Sequence, residues 1–200
     1  NLALYQPGLG YYSSGNQKFG SRGDFITAPQ ISPLFSKCLA SQCLQIMDDF
    51  KEATILELGA GTGVMAKDLL LDLGEHNSLP KKYYILEVSA DLKIRQQKLL
   101  KRAIPEYIDN IIWLDCLPEK KFKGLVLANE ILDALPVKRF KKESNLFKEV
   151  KVTVSDNNFC WIDTIANVEL VDTLTKLEGK LSAPFPDNYH SEININLKMW

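Results

Sequence analysis

Thr54-Ile55-Leu56-Glu57-Leu58-Gly59-Ala60-Gly61-Thr62-Gly63 carries the strongest structural signal in the chain. A short β-prone run enters a turn with glycine at alternate positions. Val64, Met65, Leu69 and Leu70 then continue at helical spacing, which predicts a helix over 63–73. Strand, glycine turn and helix in that order form the first half of a βαβ unit. Working outward, the same grammar repeats. Tyr83-Tyr84-Ile85-Leu86-Glu87-Val88 reads as a second strand, and Ser89 caps a helix running to Arg102. Ile111-Ile112-Trp113-Leu114 and Gly124-Leu125-Val126-Leu127-Ala128 supply a third and a fourth strand. These runs are continuously apolar rather than alternating, the pattern of a parallel sheet buried on both faces. Upstream, Ser32-Pro33 predicts an N-cap and first helical residue. Leu34, Phe35, Cys38, Leu39, Leu44, Ile46 and Met47 are the expected apolar face of that helix, which ends near Asp49. The fold class is therefore α/β, a doubly wound sheet whose ligands bind at the carboxyl ends of its strands.

Those strand ends carry the chemistry. In the turn after the first strand, Gly59, Gly61 and Gly63, with Ala60 between them, let backbone approach a ligand closely. The dinucleotide fingerprint G-x-G-x-x-G places its third glycine one residue later, where Val64 stands here. That spacing favours a smaller nucleoside over a pyrophosphate. Glu87, with Val88 beside it, ends the second strand 24 residues after Gly63, and an acid at about that distance suits two ribose hydroxyls. Asp115 and Cys116 end the third strand. The fourth runs into Asn129-Glu130-Ile131-Leu132-Asp133-Ala134-Leu135-Pro136-Val137. Its acids, Glu130 and Asp133, suit a guanidinium through charge-assisted hydrogen bonds and can take up a proton.

Composition excludes several classes. The chain has 200 residues, 46% apolar and 24% charged, with a net charge of -1. That is a globular composition with no excess charge to steer it onto nucleic acid. No 18-residue apolar run predicts a membrane span. Cys38, Cys43, Cys116 and Cys160 have no C-x-x-C spacing, and neither His76 nor His190 lies near them in sequence. Free thiols in a reducing compartment, and no metal site, are expected. The basic cluster Lys138-Arg139-Phe140-Lys141-Lys142 reads as a solvated face. Trp113 and Trp161 read as core or sheet residues.

Beyond residue 140 the pattern changes. Two β-prone runs, 147–154 and 159–165, flank Ser155-Asp156-Asn157-Asn158 and predict an antiparallel hairpin. A helix is expected over 167–180, and another beginning at Ser191. Residues 1–35 are rich in Gly, Pro, Tyr and Ser. In this region Arg22, Asp24 and Thr27 are polar candidates for a loop closing over a ligand. By role, residues 1–50 are read as an N-terminal cap and lid, and 51–200 as the ligand-binding domain.

Glu57-Leu58-Gly59-Ala60-Gly61-Thr62-Gly63 resembles motif I of S-adenosylmethionine-dependent methyltransferases. Four further stretches widen the likeness: Gly10-Tyr11-Tyr12, 23–35, 84–89 and 129–137, with 191–194 near the end. Together they resemble the MidA-like family, which takes in the mitochondrial complex I assembly arginine methyltransferases and bacterial relatives. The resemblance implies a Rossmann-like class I methyltransferase fold with an inserted substrate-side region, and S-adenosylmethionine as methyl donor. On this chain it implies that Glu57 and the glycine turn shape the cofactor loop, that Glu87 and Val88 hold the ribose, and that Asp115 and Cys116 lie at the adenine. Asp24, Thr27 and Asn129 would meet the methionine end, and Glu130 and Asp133 would orient the acceptor. The implied partner is a protein, a complex I subunit or its bacterial counterpart, in the bacterial cytoplasm or the mitochondrial matrix. Family members carry a later Asp-Tyr-Gly segment and further sheet strands, so this chain reads as truncated. Two rival readings are a cofactor-binding assembly factor without turnover and a nicotinamide-dependent oxidoreductase. The early third glycine and Asn129-Glu130 count against the second.

Overall fold

β1 (Thr54–Leu58), β2 (Lys82–Leu86), β3 (Ile111–Leu114) and β4 (Gly124–Leu127) form a parallel sheet in the order β3-β2-β1-β4. The computed structural model describes residues 2–14, 23–50 and 52–197. Ile55 pairs with Tyr83 on one side and Leu125 on the other, while Ile85 pairs with Trp113. Strand order reverses between β1 and β4, which makes the carboxyl ends of these strands the switch-point crevice.

The N-terminal helices are α1 (Leu2–Tyr5), α2 (Ala28–Ile31) and α3 (Pro33–Met47); α4 (Val64–Glu75) and α5 (Ala90–Ala103) are the crossovers. One core gathers Ala40 and Cys43 of α3, Leu69 and Leu73 of α4 and Leu100 of α5 against Ile55, Tyr83 and Ile85. All eight are fully buried. Leucine burial of this kind contributes roughly 1.5–3 kcal/mol per side chain. Two expectations are corrected here. The strands were expected to be buried on both faces, yet Val126, which points away from this core, is 57% exposed. On α3 the buried stripe is Ser36, Ala40, Cys43 and Met47, whereas Leu34, Cys38 and Ile46 are exposed. Small residues win that face because they let α3 approach α4 closely; Phe35, Leu39 and Leu44 pack at its margins.

Two compact units divide at Ala134 and Leu135. The second is an antiparallel sheet, order β7-β6-β5-β8, with β5 (Lys138–Glu143), β6 (Leu146–Ser155), β7 (Asn158–Ile165) and β8 (His190–Ile193). The predicted hairpin is present as β6 and β7, with Val152 opposite Trp161. Its turn has positive φ at Asp156 and Asn157, as a two-residue primed turn requires. α6 (Val168–Glu178) is capped by the Asn167 side chain and buries Leu170 and Leu174 against Phe140.

Three readings change in this unit. The basic cluster is β5, with Phe140 and Lys142 buried, not a solvated face. Lys142 is buried because its ammonium meets the Glu178 carboxylate of α6. The segment expected to open a helix at Ser191 is instead part of β8, which pairs with β5; residues 198–200 lie outside the described set. Trp161 is a sheet residue but not a core one: it is 60% exposed, with the Arg139 guanidinium 4.2 Å from its ring centroid.

A glycine turn and acids at the carboxyl ends of the parallel strands

The turn after β1 has positive φ at Gly59, Gly61 and Gly63. Gly63 is the N-cap of α4 with φ 82°, a conformation that favours glycine, and a Cβ there would press on Gln96 Cγ at 3.3 Å. At Gly61 an added Cβ would meet nothing within 4 Å. The backbone on that side of the turn is open to a ligand. The Gly59 N–H donates to the Leu86 carbonyl at 2.9 Å, so the turn is tied to the end of β2. Ala60 is buried beneath it.

Glu87 lies just beyond β2 and is 7% exposed. Its Oε1 accepts from the Ser89 N–H and its Oε2 from Gln96 Nε2, both at 2.9 Å. Burial pushes this carboxyl above the usual range, against the pull of those donors. Ser89 caps α5 through the Leu92 N–H, and its hydroxyl donates to the Tyr12 carbonyl at 2.7 Å. Val88 is exposed.

The N-terminal segment reaches the other end of the crevice through Tyr5. Its hydroxyl donates to the Ala134 carbonyl at 2.8 Å, and its ring stacks on Tyr12 with centroids 5.4 Å apart. The pair thus links the end of β2 with the loop after β4. Burial first, then Tyr12, Glu87 and Asp133, push the Tyr5 phenol up to about 12. Burial and then Asp133 raise Tyr12 as well. Both phenols stay neutral at ordinary pH and face a negative region. In the loop after β4, Asn129 is half-buried, while Glu130 and Asp133 are exposed. Neither acid has an ion-pair partner among the described residues. Glu130 also holds a φ of 49°, a conformation uncommon for a residue with a Cβ.

The other predicted residues lie as follows. Asp115 is exposed at the end of β3 and pairs with Lys93 of α5 at 2.7 Å, with Cys116 exposed beside it. Asp24 accepts from the Tyr11 hydroxyl at 2.8 Å. Thr27 is the N-cap of α2, and the next turn of that helix sends Gln30 Nε2 to the Thr62 hydroxyl at 3.4 Å. Arg22 lies outside the described residues. Glu57 is set apart from the open side of the turn. It is 1% exposed, on the helix-packed face of β1, and accepts from the Tyr83 hydroxyl at 2.8 Å. Burial pushes its carboxyl up to about 7. Sequence reasoning missed Gln96, Tyr5 and the backbone role of Tyr12. For Gln96 a signal existed: it shares the i, i+4 stripe of α5 with Leu92 and Leu100, where a polar residue must find buried partners.

A family model for S-adenosyl-L-methionine-dependent methyltransferases matches residues 38–200. The chain belongs to that family. The protein arginine methyltransferase NDUFAF7 of Danio rerio mitochondria is 29% identical over 179 residues, 78% of this chain and 42% of the relative. The human protein of that name is 28% identical over 175 residues, 76% of this chain and 40% of the relative. A Burkholderia thailandensis protein, solved with S-adenosyl-homocysteine bound, superposes with a TM-score of 0.81 at 37% identity, covering 96% of this chain and 49% of that one. This methyltransferase-family chain thus spans about half the length of the relatives it matches. Its parallel sheet and glycine turn are those the resemblance implied, with a four-stranded antiparallel sheet where only a hairpin was expected. Among the described residues no helix is long and apolar enough to cross a membrane.

Proposed function

We propose that the whole protein transfers a methyl group from S-adenosylmethionine to an arginine guanidinium nitrogen of a protein substrate. The observation that carries this reading is the pairing of two unlike sites across one crevice. On one side, the buried Glu87 carboxylate is held by two donors beside an open glycine turn. On the other, Glu130 and Asp133 are exposed and have no ion-pair partner among the described residues. The donor set fits the cofactor: a fixed carboxylate accepts from ribose hydroxyls, and the Gly61 side of the turn has room for a ligand atom close to backbone. The relatives named arginine methyltransferases support the choice of acceptor.

S-adenosylmethionine, when bound, supplies an electrophilic methyl on sulfonium. The chain's residues bind and orient. Glu87 would fix the ribose, with Val88 at its edge. Asp115 and Cys116 would border the adenine, and Asp24, Thr27 and Asn129 the methionine end. Glu57 supports the turn from below through Tyr83 rather than from the crevice. Glu130 and Asp133 would accept from the guanidinium and draw its proton away as the nitrogen gains the methyl. Tyr5 and Tyr12 would wall this acidic end, and their neutral rings favour a cation. Rate enhancement would come from positioning and from the fixed negative charge. The substrate we propose is a respiratory complex I subunit or its bacterial counterpart, met in the mitochondrial matrix or the bacterial cytoplasm.

The test incubates the full-length protein with methyl-labelled S-adenosylmethionine and purified complex I subunits, then assays hydrolysates for methylarginine. Label in arginine that falls by at least about ten-fold in both Glu130→Ala and Asp133→Ala supports the reading, a loss in line with removing a charge-assisted hydrogen bond. Binding of the cofactor with no label in any subunit would favour the assembly-factor reading.

A further inference from the structure

Gln96 is fully buried on the inner face of α5 and makes three hydrogen bonds to three separate elements. Its Nε2 donates to the Gly61 carbonyl and to Glu87 Oε2, each at 2.9 Å. Its Oε1 accepts from Trp113 Nε1 of β3 at 3.1 Å. Only a neutral amide, with two donors on one side and an acceptor on the other, satisfies all three partners. Gly63 is packed against it, and a Cβ there would lie 3.3 Å from Gln96 Cγ. Resting on the methyltransferase reading of the crevice, we infer that Gln96 is a positioning residue that locks the glycine turn and the Glu87 carboxylate into one geometry.

The chemistry follows from which lone pairs are used. Ser89 N–H takes one oxygen of Glu87 and Gln96 the other, with the Val88 N–H also directed at the carboxylate, which fixes its plane while leaving lone pairs for ligand hydroxyls. The same amide nitrogen holds the Gly61 carbonyl, so the open backbone of the turn keeps a constant distance from the acid. A ligand spanning both would find its two contact points already set, and would lose less entropy on binding. Trp113 fixes which way the amide faces, because reversal would set its N–H against the Gln96 NH2 and the Glu87 carboxylate against the amide oxygen.

The experiment is calorimetric titration of the full-length protein with S-adenosyl-homocysteine at pH 5.5 and pH 8, for wild type, Gln96→Leu and Gln96→Glu. Thermal melts confirm that each variant is folded. Gln96→Leu removes both donors at similar volume and should weaken binding about ten-fold or more. Gln96→Glu places a second carboxylate against Glu87 and the Gly61 carbonyl. The titratable groups around that point are Glu87 beyond β2, Glu57 of β1 and the Tyr5 phenol, both of which feel the Glu87 charge, and the exposed Lys93–Asp115 pair; they are common to wild type and variants, so the deficit is taken relative to wild type at each pH. Ionised together the two carboxylates repel, whereas a proton shared between them restores a donor, so the repulsion grows as pH rises. The affinity deficit of Gln96→Glu should therefore shrink about ten-fold on acidification, a signature that mere loss of packing does not give. Should Gln96→Leu fail to fold, the pH dependence of Gln96→Glu decides alone. Wild-type affinity in Gln96→Leu, or a deficit in Gln96→Glu that is the same at both pH values, overturns the assignment and leaves the cofactor reading standing. A wild-type protein that does not bind S-adenosyl-homocysteine overturns both.

Discussion

Glu57→Gln isolates the buried charge beneath the glycine turn. Glu57 is 1% exposed and has one hydrogen-bond donor, the Tyr83 hydroxyl, in a core that also holds Cys43. Burial, against the help of Tyr83, lifts its carboxyl from an ordinary 4.5 to about 7. The folded chain therefore holds this proton more tightly than the unfolded chain does. Between those two values the folded state binds more protons, so stability falls as pH rises through the window and levels off above it. Each pH unit is worth about 1.4 kcal/mol, and the whole window about 3 kcal/mol. Glutamine keeps an acceptor for Tyr83 and carries no charge. The stability difference between Glu57→Gln and wild type should then move by about 2–3 kcal/mol in favour of the variant between pH 5 and pH 8. Urea unfolding followed by tryptophan fluorescence at both pH values measures it. Glu87, also raised by burial, is present in both proteins, so the difference reports Glu57 together with its coupling to Glu87. A difference independent of pH would refute the argument that Glu57 is ionised at a cost in the folded core.

Ser89→Ala removes both the cap bond to the Leu92 N–H and the hydroxyl bond to the Tyr12 carbonyl. It should cost about 1–2 kcal/mol in a denaturant titration and raise amide exchange in residues 11–14. Leu170→Ala opens a cavity beside Phe140 in the second unit, where Leu170 is fully buried. A loss of about 2–5 kcal/mol is expected, seen as faster hydrogen exchange across β5 and β6. Gly61→Arg puts a long side chain where φ is 54° and the space is open. It should abolish S-adenosyl-homocysteine binding without unfolding α4, as judged by calorimetry beside circular dichroism.

How much of this was legible depends on the kind of signal. Continuous apolar runs and glycine at alternate positions report local geometry, and β1 to β4 with their crossovers follow from them. Caps at Ser32 and Ser89 were readable for the same reason: a short polar side chain before an apolar period satisfies an orphan amide. The buried face of α3 was not readable, because small residues pack closest and apolar count pointed to the other side. β5 and β8 were hidden by lysines and by brevity. A strand whose alternate residues are Phe140 and a paired Lys142 does not look apolar, and its turn at Ser144-Asn145 lacks glycine although both residues hold positive φ. At the site, sequence position named the acids at the strand ends. It did not show that Glu57 faces the helix-packed core while Glu87 is held beside the turn. It also left out Gln96, whose role exists only through partners 9, 17 and 35 residues away.

We propose that the glycine turn and Glu87 form an S-adenosylmethionine site. Calorimetric titration of the full-length protein with S-adenosyl-homocysteine, beside NAD and beside Glu87→Ala, tests it most directly. The expected result is micromolar binding of S-adenosyl-homocysteine, none of NAD, and a loss of about ten- to a hundred-fold in Glu87→Ala, in line with hydrogen bonds to a charged group. Undiminished affinity in Glu87→Ala, or binding of NAD in preference, would contradict it.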